Sequence, residues 1–135
     1  MTLDRRPPEE AVKWLRYATE DLAAARLLLA HGDAFIRQAM QQVQQSAEKA
    51  LKGFLIAKDQ PYPLTHSIET LRQLCCALDP TLDEAARPCV DLSPFAGLTR
   101  YPGWEEPDRD TAQGFFAVAE TLLAAVTDRL RVSQY

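Results

Sequence analysis

Between Phe35 and Lys58 the apolar residues Ile36, Met40, Val43, Ala47, Ala50, Leu51 and Phe54 step by three or four positions. At about 100° per residue this spacing puts them on one side of a helix, the core-facing side. Gln38, Gln41, Gln42, Gln45, Lys49 and Lys52 fall on the other side, a run of hydrogen-bonding groups that reads either as solvent surface or as a binding face. A helix before it is marked from Glu9 to about Ala30 by Val12, Leu15, Leu22 and Leu29, with Ala18 and Ala25 as small residues that let a neighbour approach. Gly32 gives a stop signal and Asp33 a cap for the next helix. A connection of about three residues makes the first two helices antiparallel neighbours.

Beyond Lys58, Pro61 and Pro63 end the central helix, because neither can donate a backbone hydrogen bond. A third helix starts at Thr65 or Ser67, which can cap it, and runs through Ile68, Leu71, Leu74 and Cys75 to about Leu78. A weaker fourth is expected over Leu82–Leu92 with Pro88 disturbing it, then a long loop from Ser93 to Asp108 rich in proline, glycine and aromatics. The last helix, about Asp110 to Arg131, carries Ala112, Phe115, Ala119, Leu122, Val126 and Leu130 on one side. No segment sustains a period of two, so the expected fold is all-α, an up-and-down bundle of four to five helices, three of them long.

A chain of 135 residues, 47% of them hydrophobic, matches one domain over 1–135, with residues 1–8 read as a frayed end. A net charge of −4 argues against bulk coating of nucleic acid, so a nucleotide or RNA site would be a local basic spot. Three cysteines, two of them adjacent, and no apolar leader point to a reducing cytoplasm without disulfides. No apolar run reaches membrane-spanning length. The two histidines and three cysteines have no metal-ligand spacing, and neither a phosphate loop nor a nucleophile elbow occurs. Neither a metal nor a cofactor is expected.

QQSAEKALKGFL at 44–55, THSIETL at 65–71 and TRYP at 99–102, followed by a long closing helix, resemble the HEPN family (higher eukaryotes and prokaryotes nucleotide-binding). WLRYATEDLAAARLLL at 14–29 is similar to the family's first helix, so the likeness runs from about Ala11 to Leu130. It implies a helical bundle, a homodimer, and a nucleotide- or RNA-binding partner of a minimal nucleotidyltransferase, within a toxin–antitoxin-type pair. Many members are metal-independent RNases that use an Arg followed after four to six residues by His, late in the chain. Here no histidine follows Arg100, and the reading leans away from an enzyme. The alternatives are an RNase toxin with an atypical His66 and Arg100 site, or a purely structural dimerisation module. Arg26 and His31 match the spacing literally but lie at the end of the first helix, where the match reads as coincidence and His31 as a charge suited to a helix C-terminus.

The candidate contact residues for a nucleotide or RNA are Lys49, Lys52, His66, Arg100 and Tyr101. His66 follows a rigid proline loop at a helix start, where an imidazole and free backbone N–H groups can meet a phosphate. Arg100 offers a bidentate phosphate contact and Tyr101 a stacking surface. Competing structural roles are open for each: solvation of the lysines, helped by a Glu48–Lys52 pair; capping or packing for His66; pinning of the loop to the bundle for Tyr101, with Trp104; and pairing with Glu105 or Glu106 for Arg100. The central glutamines read as a dimer or partner surface, and Cys75 and Cys76 as buried small residues.

Overall fold

The computed structural model describes residues 8–97 and 105–131. Its α-helices are α1 (Glu9–Ala30), α2 (Ile36–Ala57), α3 (Ile68–Leu78), the single turn α4 (Asp83–Ala86) and α5 (Arg109–Arg131). Short 3-10 segments occupy Gly32–Phe35, Pro80–Leu82 and Arg87–Ala96. Among the described residues there is no strand, and no helix is long and apolar enough to cross a membrane. The architecture is an all-α bundle.

Helix α2 is its spine. It packs against α1, α3, α5 and the Arg87–Ala96 segment, and its residues Met40, Val43, Ala47, Leu51 and Phe54 are fully buried. The α1 stripe differs from the large-residue pattern: Ala11, Ala18, Leu22, Ala25 and Leu29 are buried, whereas Val12 is exposed and Leu15 only half-buried. Alanines suit this face because α1 lies close to α2. Ser46 Oγ donates to the Ala18 carbonyl at 2.8 Å, and a Cβ on Gly53 would stand 3.1 Å from Trp14 Cβ.

The helix ends follow local chemistry. Gly32, at φ +85°, is the left-handed residue after the end of α1. Asp33 does not cap α2, which has no side-chain cap; its carboxylate lies 3.6 Å from Arg109 Nη1 instead, because the 3-10 turn carries it toward α5. Ser67, rather than Thr65, caps α3 by accepting from the Thr70 amide at 3.2 Å. Asp108 caps α5 by accepting from the Thr111 amide at 2.7 Å. The expected Leu82–Leu92 helix is instead one α-turn followed by a 3-10 segment that continues to Ala96, since Pro88 cannot donate to an α-helical ladder. Cys75 and Cys89 are buried, which pushes each thiol up to about 12, while Cys76 is only half-buried.

Candidate functional site

Among the described residues the buried polar or charged side chains are Gln44, Ser46, Glu48 and Lys52, all from α2. Charges enter a protein interior only when paired and hydrogen-bonded, so this clustering marks where the fold has made a special provision. Gln44, Glu48 and Lys52 are spaced i, i+4, i+8 and form one row on the helix. That row lies about 100° round the helix from Val43, Ala47 and Leu51, at the margin of the core rather than opposite it.

Glu48 is the hub. Its Oε1 accepts from Gln44 Nε2 at 2.9 Å and lies 2.9 Å from His66 Nδ1, and its Oε2 accepts from Lys52 Nζ at 2.9 Å. Burial pushes the Glu48 carboxyl up, but the hydrogen bonds from Lys52, Gln44 and His66, joined by the Lys52 charge, outweigh it. The group sits below its ordinary value of 4.5. An ionised Glu48 makes Nδ1 the protonated nitrogen of His66, leaving Nε2 as the atom available outside. Glu48 is 9% exposed at its side chain and His66 is 77% exposed, so a buried carboxylate orients an imidazole that stands in solvent.

Aromatic rings close the outer side of Lys52. Its Nζ lies 5.9 Å from the Trp14 ring centroid and 5.5 Å from that of Tyr62, and the two rings meet edge to face at 5.2 Å. Trp14 comes from α1 and Tyr62 from the proline loop. The loop is also fixed by Gln60 N donating to the Leu55 carbonyl at 2.9 Å and by a left-handed Asp59. His66 is therefore presented by a segment held at both ends.

This geometry corrects the expected polar face. Lys52 does not point to solvent; it is 6% exposed because Trp14 and Tyr62 cover it. Of the six polar residues on that side only Gln45 is exposed, the others being half-buried or buried. Lys49 is half-buried, pairs with Asp21 of α1 at 2.6 Å and lies 5.9 Å from the Tyr17 ring centroid. Lys52 and His66 are thus brought together on one carboxylate, while Lys49 is tied to a different one, Asp21 of α1. Arg100 and Tyr101 lie outside the described residues. Arg26 and His31 diverge: Arg26 pairs with Glu120 at 2.7 Å, and the His31 ring meets Phe35 edge to face.

A HEPN domain model matches residues 11–130, nearly the whole chain. The chain belongs to the HEPN family. The crystal structure of TT1696 from Thermus thermophilus is similar to this HEPN domain, with 30% sequence identity, a TM-score of 0.69, and coverage of 91% of this chain and 100% of that one. No curated protein matches it. Three residues of this cluster escape a reading of the sequence: Gln44, Trp14 and Tyr62. The spacing of Gln44, Glu48 and Lys52 is a usable signal, since three polar residues in one row beside a core stripe ask for a partner. Nothing local announces the two rings that cover Lys52.

Proposed function

We propose that this HEPN domain binds a nucleotide or an RNA end over His66, Tyr62 and Trp14, and that it does so as the helical, homodimeric partner of a minimal nucleotidyltransferase in a toxin–antitoxin-type pair. The observation that carries the reading is the buried Gln44–Glu48–Lys52 row holding an exposed imidazole. The Glu48–Lys52 pair is internally neutral, so the group left to meet a phosphate is His66, which donates from Nε2 when the ring carries both protons, with Tyr62 and Trp14 as neighbouring rings for a base. Arg100 and Tyr101 would add to this contact. Lys49 and Lys52, already engaged by carboxylates, act on the ligand only through the frame they build.

The test is titration of a fluorescent mononucleotide and of a short single-stranded RNA into the full chain. Saturable binding that His66→Ala weakens by about tenfold or more, as loss of a charged hydrogen bond implies, supports the reading. No binding at millimolar ligand, together with no co-purifying nucleotidyltransferase encoded beside this gene, rejects it. A dimer with neither behaviour is the signature of a structural module.

A second reading, RNA cleavage without metal, draws on the Glu48–His66 contact, since a carboxylate at Nδ1 prepares Nε2 to accept a proton. Cleavage in chelator that His66→Ala abolishes supports it; cleavage that survives His66→Ala rejects this site.

A further inference from the structure

A second polar cluster lies between the C-terminal end of α1 and the first turns of α5, roughly 20 Å along α1 from Trp14. There a cavity of about 240 Å³ is lined by Arg26, Leu29, Ala30, Arg109, Gln113 and Phe116. Two of these carry guanidinium groups, one carries an amide, and none carries a carboxylate.

The guanidiniums are held in place with most of their donors uncommitted. Each has five N–H groups. Arg26 donates through Nη2 to Glu120 Oε2 at 2.7 Å, and its guanidinium lies 5.0 Å from the Phe116 ring centroid. Arg109 donates through Nη2 to the Leu29 carbonyl at 2.7 Å. Its Nη1 is buried and has no hydrogen-bond partner, although the Asp33 carboxylate stands 3.6 Å away, outside hydrogen-bonding distance. A buried N–H group without an acceptor is unfavourable, so the Arg109 guanidinium, whose side chain is 40% exposed, gains from an acceptor it can turn to meet. The Thr111 and Ala112 amides at the start of α5 are not the donors at issue, because the Asp108 side chain and carbonyl already take them.

We propose that this notch is a phosphate site, in which one phosphate group sits between Arg26 and Arg109 with Gln113 as the third donor. Guanidinium forks match the paired oxygens of a phosphate, and donors from three side chains suit a tetrahedral anion. The remaining wall, Leu29, Ala30 and Phe116, is apolar and accommodates what the phosphate is attached to. Asp33 is the competitor. It is 74% exposed at its side chain and not hydrogen-bonded to Arg109, so an incoming phosphate displaces it by rotation into solvent.

That competition supplies a test by gain. The full chain is titrated with inorganic phosphate, and separately with a mononucleotide, at constant ionic strength against chloride, with binding read by amide chemical shifts. Saturable shifts at Arg109, Gln113 and the end of α1 are expected. Asp33→Asn should tighten binding by about threefold, the range of an exposed ion pair, and Arg26→Gln or Gln113→Leu should weaken it by about fivefold or more. These variants are chosen over Arg109→Gln, whose loss would also release the Leu29 carbonyl. A mononucleotide that binds tighter than phosphate identifies the phosphate arm of a larger ligand; equal binding identifies free phosphate. Absence of saturable shifts in both wild type and Asp33→Asn overturns the proposal. So does phosphate binding that Arg26→Gln leaves intact or that His66→Ala removes, since the anion would then lie elsewhere.

Discussion

The α1–α2 seam and the α1–α5 notch both contain cations beside carboxylates, and they use them in opposite ways. At the seam Lys52 is enclosed: Glu48 neutralises it, two rings cover it, and the pair is shut off from solvent. At the notch Arg26 and Glu120 make an equally close contact, yet their side chains are 66% and 52% exposed. The difference is dielectric. A buried pair that loses one member leaves a charge without water or partner, whereas an exposed member is simply rehydrated. The seam pair therefore belongs to the fold and orients His66, and the notch pair leaves its guanidinium donors open to a ligand.

The largest expected effect separates these two roles. Lys52→Met should destabilise the chain by about 3–5 kcal/mol in chemical denaturation, because Glu48 is left buried and ionised. The double variant Glu48→Leu/Lys52→Met should recover most of that loss; a double variant as unstable as the single one would show that the pair's neutralisation is not what matters.

Acid should probe the same seam. Folding holds the Glu48 carboxyl below its ordinary value of 4.5. Its contribution is therefore fully present above about pH 4.5 and disappears as pH falls through the lower folded value. The stability advantage of wild type over Glu48→Gln should shrink on acidification below that pH. An advantage that persists unchanged to about pH 3, well under the ordinary carboxylate range, would assign it to packing.

Ser67→Ala should lose about 1 kcal/mol, the ordinary value of a helix cap, and loosen the turn that follows His66. The smallest effect is expected at the notch: Glu120→Gln should change stability by no more than about 1 kcal/mol, its contact with Arg26 being solvated. A loss comparable to that of Lys52→Met would erase the contrast between the two regions.

Much of the scaffold is legible from periodicity. The core row of α2, the short α1–α2 connection, the proline break after Lys58 and a start of α3 at Thr65 or Ser67 all follow from residues acting within one turn of themselves. The misreadings arise where distant chain decides. Lys52 falls on the polar side of a helical projection, but Trp14 and Tyr62, 38 residues before and 10 after it, roof it over. Asp33 has the chemistry of a cap, yet the 3-10 turn directs it toward Arg109. Pro88 is visible as a disturbance, while the ten-residue 3-10 run around it depends on packing against α2 and α3. Of the proposed contact residues, Lys52 and His66 do meet, but through Glu48, which in the sequence reads only as a surface partner for Lys52.

The most direct measurement of the central account compares His66 with Lys49 in one nucleotide titration. His66 is exposed and oriented, whereas Lys49 is committed to Asp21. His66→Ala should weaken nucleotide binding by about tenfold or more, and Lys49→Ala should leave it within about twofold. Equal losses from the two variants, or a loss confined to Lys49→Ala, would contradict the claim that the buried Glu48 row exists to present His66.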